Sequence, residues 1–149
     1  MELIEQLFLD NINEENLFKL LSNQKKYFSL LKKIASKIQK DNFHNNIYFR
    51  GLLEITNYCE NDCYYCGIRK SNKNVCRYKL TKEEILESCK EAYKKGFRTF
   101  VLQGGQGNFY TPLEISQIIK ILKNNFHDIA ITLSLGESSF ENYKLWKDS

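Results

Sequence analysis

Tyr48-Phe49-Arg50-Gly51-Leu52-Leu53-Glu54-Ile55-Thr56-Asn57-Tyr58-Cys59-Glu60-Asn61-Asp62-Cys63-Tyr64-Tyr65-Cys66 joins a strand-like run to three closely spaced cysteines. That junction decides the fold. Tyr48 to Thr56 is rich in β-branched and aromatic residues, which suits a strand. The cysteines that follow have the spacing C-x3-C-x2-C, with an aromatic residue before the last. A cubic four-iron cluster held wholly by protein needs four thiolates. Three thiolates leave one iron open, and an open metal position lets a site bind and activate a small molecule instead of bracing a fold.

The competing reading is a zinc knuckle with Cys76 as fourth ligand. Zinc sites usually pair their ligands as two short hooks, and Cys76 has no partner beside it. Disulfides are disfavoured by the odd count of five cysteines and by the start Met1-Glu2-Leu3-Ile4-Glu5, which lacks a basic segment followed by an apolar core. Cys89 shares a helix face with Ile85, Ala92 and Tyr93, where a buried, inert thiol is expected. His44 and His127 stand outside any ligand-like constellation and read as surface or loop residues.

Composition excludes several classes. The chain has 149 residues, 42% hydrophobic and 27% charged, in the range of one soluble domain with one core. No apolar stretch approaches the ~20 residues of a membrane span, so a cytoplasmic location without membrane association is expected. The net charge of +4 is dispersed as Lys25-Lys26, Lys32-Lys33 and Lys94-Lys95 among acidic residues. That pattern suits solvated helix faces and not a nucleic-acid stripe.

Around the opening stretch, the chain reads as a helical preface and then repeated strand-helix units. Leu17, Leu20 and Leu21, then Tyr27, Leu31, Ile34 and Ile38, recur at helical spacing and predict two or three amphipathic helices up to about residue 40. Further strands are expected at Arg98 to Gly104 and Asp128 to Leu135. Between them, Thr81-Lys82-Glu83-Glu84 is a capping box opening a helix that Gly96 closes. Thr111-Pro112-Leu113-Glu114 repeats the device with proline in the first turn, and Ser138-Ser139-Phe140-Glu141 opens a third helix. The order β-α-β-α-β-α requires parallel strands. One strand face is apolar: Phe49, Leu53, Ile55; Phe100, Leu102; Ile129, Ile131, Leu133, Leu135. The other carries Arg50, Glu54, Thr56; Thr99, Gln103; Ala130, Thr132, Ser134. This fits a barrel wall with a wet or ligand-filled interior, or else a one-sided layer with its polar face to water. The cysteines, Gly104-Gly105-Gln106 and Gly136-Glu137 each follow a strand end, the rim where (β/α) barrels place active sites.

The cysteine spacing is the signature of the radical S-adenosylmethionine (SAM) enzymes, and the chain resembles that family. Within it, Arg50 to Lys70 is similar to the cluster-binding region of the HydE-type maturases of [FeFe]-hydrogenase. Arg77-Tyr78-Lys79-Leu80-Thr81-Lys82-Glu83-Glu84-Ile85, Val101-Leu102-Gln103-Gly104-Gly105 and Leu133-Ser134-Leu135-Gly136-Glu137 resemble the segments that follow, in the same order. The likeness runs from about Asn46 to the end. Biotin synthase and the methylornithine-forming enzyme share the cysteine spacing and fit less well around it.

The resemblance implies an α/β fold, a partial (β/α) barrel of the radical SAM type, with about three β-α units in residues 48–149 after an N-terminal helical segment in residues 1–47. It implies that Cys59, Cys63 and Cys66 hold a [4Fe-4S] cluster whose open iron chelates the methionine part of SAM, with Tyr65 near the adenine. Gly104 and Gly105 match the start of a Gly-Gly-Glu element that meets the methionine amino group, where Gln106 replaces the usual glutamate. A neutral amide lacks the charge assistance of a carboxylate, so amine binding is expected to weaken. Glu137 matches a carboxylate in contact with SAM. The implied chemistry is reductive cleavage of SAM to methionine and a 5'-deoxyadenosyl radical. The implied partners are a small-molecule or organometallic substrate, a ferredoxin or flavodoxin as electron donor, and other hydrogenase maturases. Family barrels have eight units, so the sequence leads us to expect an N-terminal barrel portion that neither closes nor turns over alone. A complementary barrel fragment is then an expected partner. The alternatives are an inactive iron-sulfur or zinc module and a biotin synthase-like or methylornithine synthase-like enzyme.

Overall fold

The structure, a computed structural model, describes residues 12–149. The start Met1-Glu2-Leu3-Ile4-Glu5, like any helix before Ile12, lies outside the described residues. The chain divides into two units, one up to Tyr48 and one from Phe49 to Ser149.

The first unit holds α1 (Glu14–Ser22) and α2 (Gln24–Phe43). The side-chain oxygen of Asn13 caps α1 by accepting from the Asn16 amide at 2.9 Å, and two glutamates in the first turn complement the helix dipole. α2 ends at His44, whose backbone is left-handed (φ 52°) and whose amide closes on the Lys40 carbonyl. Of the apolar positions that predict these helices, Leu20 is buried, whereas Leu17, Leu21 and Ile38 are exposed.

The second unit is built on β1 (Gly51–Glu54), β2 (Thr99–Gln103) and β3 (Ala130–Ser134), in sheet order β1-β2-β3. Both pairings are parallel, with Leu53 opposite Leu102 and Leu102 opposite Leu133. Their connections contain α3 (Lys82–Lys94) and α4 (Pro112–Asn125), and α5 (Phe140–Lys147) follows β3. Thr81 and Thr111 form complete capping boxes with Glu84 and Glu114, and Ser139 caps α5 by accepting from the Asn142 amide. These are the starts expected from sequence.

Ile55, Phe100, Leu102 and Ile129 from the sheet side meet Ile85, Cys89, Ile115, Ile118 and Leu122 from α3 and α4, all buried. Each Ile, Leu or Phe among them contributes about 1.5–3 kcal/mol through removal from water. Leu52, Glu54, Thr132 and Ser134 on the opposite face are exposed. The strands are shorter at both ends than their sequence runs. Phe49 departs from expectation: it precedes β1 and is 73% exposed, so it does not join the apolar face. At the start of β1, Gly51 pairs with Phe100, whose ring would approach a Cβ there at 3.2 Å.

Candidate functional site

The chain leaves β1 through Ile55, Thr56 and Asn57, makes the cysteine excursion, and returns beside the same residues. Thr56 pairs antiparallel with Lys79. The Thr56 hydroxyl donates to the Tyr78 carbonyl at 2.8 Å. Asn57, which is buried, seals the neck with its side chain: Nδ2 donates to the Cys76 carbonyl at 2.7 Å and Oδ1 accepts from the Tyr78 amide at 2.8 Å. The Tyr110 hydroxyl proton is shared between the carbonyls of Leu80 (2.6 Å) and Ile55 (3.0 Å), and burial pushes its pKa up to about 12. Among the described residues no buried side-chain polar atom lacks a partner, those at the neck included, as burial requires.

Within the excursion the Cys66 amide donates to the Cys63 carbonyl at 3.0 Å, and the Lys70 amide to the Asn61 carbonyl at 2.9 Å. Asp62 accepts from the Ser71 amide at 3.0 Å, and hydrogen bonding from Ser71 holds its carboxyl below the usual range. Arg77 crosses the base. Its Nη1 donates to the carbonyls of Asn57 and Ile68, and its Nη2 to those of Arg69 (2.7 Å) and Asn72 (3.3 Å).

The loops after β2 and β3 meet this excursion at the C-terminal rim. The Glu60 amide donates to the Gln106 carbonyl at 2.7 Å. A Cβ on Gly105 would stand 2.5 Å from Cys59 Cβ and closer still to the Tyr58 carbonyl oxygen. Only glycine lets the two backbones approach this closely. The Gln106 side chain turns to the third loop: Oε1 accepts from the Glu137 amide at 2.7 Å, and Nε2 reaches the Glu137 carbonyl at 3.5 Å. Cys59, Gly104, Gly105, Gln106 and Glu137 are therefore brought to one rim. Tyr65 is 93% exposed on the outer part of the loop. Glu137 is exposed, and no partner holds its carboxylate among the described residues.

The donor set fits an iron-sulfur cluster. Cys59 and Cys66 are half-buried, Cys63 is exposed, and all three are free thiols on one loop whose start packs against Gly105. Among the described residues no three Cys, His, Asp or Glu side chains converge as ligands of a single ion. A cubane takes one thiolate at each of three irons, so it does not need the three sulfurs to converge on one ion. A zinc tetrahedron of Cys59, Cys63, Cys66 and Cys76 is not assembled; Cys76 is exposed and contributes its carbonyl to the neck. Cys89 is buried in the core, which pushes its thiol up to about 11. Arg77, Asn57 and Tyr110 went unread in the sequence, because their partners are backbone carbonyls and amides that no residue spacing reveals. No described helix is long and apolar enough to cross a membrane.

Residues 53–149 match the family model of the Radical SAM superfamily. The chain is 38% identical over 149 residues to the [FeFe] hydrogenase maturase subunit HydE of Thermotoga maritima, an alignment covering 99% of this chain and 42% of that protein. It is 26% identical over 116 residues to 3-methylornithine synthase of Methanosarcina acetivorans, covering 76% of this chain and 32% of that one. The crystal structure of methylornithine synthase (PylB) superposes with a TM-score of 0.75 at 27% identity, covering 91% of this chain and 41% of that structure. The chain spans less than half the length of these relatives. Its three parallel strand-helix units are those of a partial (β/α) barrel, and the chain belongs to the radical SAM superfamily of enzymes.

Proposed function

We propose that this chain is the cluster-bearing portion of a HydE-like radical SAM maturase that acts in assembly of the [FeFe]-hydrogenase diiron subcluster. The observation that carries this reading is the three-cysteine loop seated on Gly105 at the strand C-termini, in a chain 38% identical to HydE. Cys59, Cys63 and Cys66 would hold a [4Fe-4S] cluster, leaving one iron for the amino and carboxylate groups of SAM. The bound cluster and SAM would supply reductive formation of a 5'-deoxyadenosyl radical, while the protein orients them and excludes water.

The chain's own residues divide the remaining work. Gly104 and Gly105 present the backbone that would meet the methionine amino group of SAM, with the cysteine loop packed against Gly105, and Tyr65 offers an aromatic face to adenine. Gln106 has its amide committed to the Glu137 backbone, so its part is to fix the third loop. Glu137 then supplies the carboxylate for the ammonium of SAM. The substrate is a small molecule or an organometallic iron species, the electron comes from a ferredoxin or flavodoxin, and other hydrogenase maturases are the partners. To test this reading, the protein is reconstituted anaerobically with iron and sulfide and reduced, and its electron paramagnetic resonance spectrum is recorded with and without SAM. A SAM-dependent change in the signal is expected; a signal indifferent to SAM would refute the open-iron reading.

A further inference from the structure

We infer that Arg77 is a positioning residue that sets the geometry of the cysteine loop. The inference rests on the reading of Cys59, Cys63 and Cys66 as cluster ligands. Asn57, whose carbonyl Arg77 Nη1 meets, stands two residues before Cys59. Ile68, whose carbonyl the same nitrogen meets at 2.8 Å, stands two residues after Cys66. One nitrogen therefore ties the entrance of the loop to its exit. Nη2 continues along the exit to Arg69 at 2.7 Å and Asn72 at 3.3 Å. These four acceptors are carbonyls of a tight, part-buried turn region, which need donors.

A guanidinium meets that need with a planar fork of donors in fixed relation, and a lysine ammonium has no such fork. Arg77 differs from the other forked contact of this unit, Arg98, which pairs with Asp128 at 2.7 Å. Among the described residues no carboxylate lies within ion-pair distance of Arg77, and its donors serve the backbone. Its positive charge is thus left beside a loop that would carry an anionic thiolate-bound cluster. A nearby cation favours the more reduced, more negative state, and net charge and hydrogen bonding are the factors that set cluster potentials. Arg77 accordingly acts through the loop, holding the thiolate spacing and raising the potential.

The test compares wild type, Arg77→Lys and Arg77→Met as full chains. Amide hydrogen exchange is measured on the metal-free proteins. Iron and sulfide content and the midpoint potential are measured after anaerobic reconstitution. Both variants are expected to lose protection at least tenfold over residues 66–72 while residues 99–103 and 130–134 keep theirs. Cluster content should fall severalfold in both, with lysine giving no rescue, and the residual cluster of Arg77→Met should have the lower potential of the two. Wild-type protection and loading in Arg77→Lys would overturn the inference, as would parallel loss of protection in the strands, which would make Arg77 a general folding residue. An unchanged potential in Arg77→Met would overturn the electrostatic part. If wild type itself takes up no cluster, the cysteine reading fails, and the exchange measurement alone decides whether Arg77 orders the loop.

Discussion

The two ends of the parallel sheet are built from different interactions. At the N-terminal end Arg98 stacks its guanidinium 3.8 Å over the Tyr93 ring, and its Nε donates to Asp128. Asp128 accepts from the Tyr93 hydroxyl at 2.6 Å, and Tyr93 stacks on Phe126. Charge there meets charge and ring meets ring. At the C-terminal rim, by contrast, Arg77, Asn57 and Gln106 bond to the backbone, Gly105 lets the cysteine loop pack where a Cβ would stand, and the three loop thiols and the Glu137 carboxylate have no side-chain partner among the described residues. One end joins an ion pair and stacked rings, with Arg98 also donating to the Tyr93 and Phe97 carbonyls; the other commits its polar side chains to the backbone of its loops.

The core lies between the two ends, so its disruption should erase the difference. Leu102→Ala removes a fully buried side chain from β2 and is expected to cost about 2–5 kcal/mol, measured by denaturant unfolding. Loss confined to the rim would show that the two ends do not share this core. A glycine from each end sharpens the contrast. Gly105→Ala meets immovable backbone of the cysteine loop, with an expected cost of about 1–3 kcal/mol from overpacking and a matching loss of cluster content. Gly96→Ala, before β2, meets nothing within 4 Å and suffers only its positive φ of 95°, a cost of about 1–2 kcal/mol with cluster content per folded chain unchanged.

Much of this division was legible in the sequence. The capping boxes at Thr81 and Thr111 announce their helices, because both reciprocal bonds lie within four residues. Parallel strands follow from the alternation of capped helices with β-rich runs, and the C-x3-C-x2-C spacing marks the rim. Strand limits and the fate of Phe49 were not legible, since both depend on where the neighbouring strand stops pairing. Arg77 and Tyr110 were hidden for a related reason: their acceptors are carbonyls that become neighbours only once the loop returns beside β1. Gln106 could be read as a position, but its engagement with Glu137 required the third strand to be in place.

Smaller effects separate the ends by pH and by single hydrogen bonds. The folded pKa of Cys89, raised by burial to about 11, lies above that of an unfolded thiol. Its contribution to stability is complete below the unfolded value and is lost as pH rises through about 11. Cys89→Ala should flatten the alkaline limb of a stability-pH curve, and an unchanged limb would contradict the burial of that thiol. Gln106→Leu removes the acceptor of the Glu137 amide and should cost about 1 kcal/mol, loosening the third loop in hydrogen exchange. At the other end, hydrogen bonding from Tyr93 and Arg98 holds the Asp128 carboxyl below its ordinary value. Its contribution is present above the unfolded pKa and lost as pH falls through the folded one. Asp128→Asn should therefore lower stability at neutral pH and flatten the acid limb of the stability-pH curve, an effect reduced by salt, and leave cluster loading alone.

On the proposed reading, the rim loop offers three thiolates, and three only, to one cluster. The most direct test of that reading is the iron and acid-labile sulfide content of the wild type and five single Cys→Ala variants after anaerobic reconstitution. Wild type should hold about four of each per chain, as expected for a [4Fe-4S] cluster. Loss of Cys59, Cys63 or Cys66 should abolish it, and loss of Cys76 or Cys89 should leave it intact. Metal that disappears with Cys76 would rule out the three-thiolate cluster and restore a four-cysteine site.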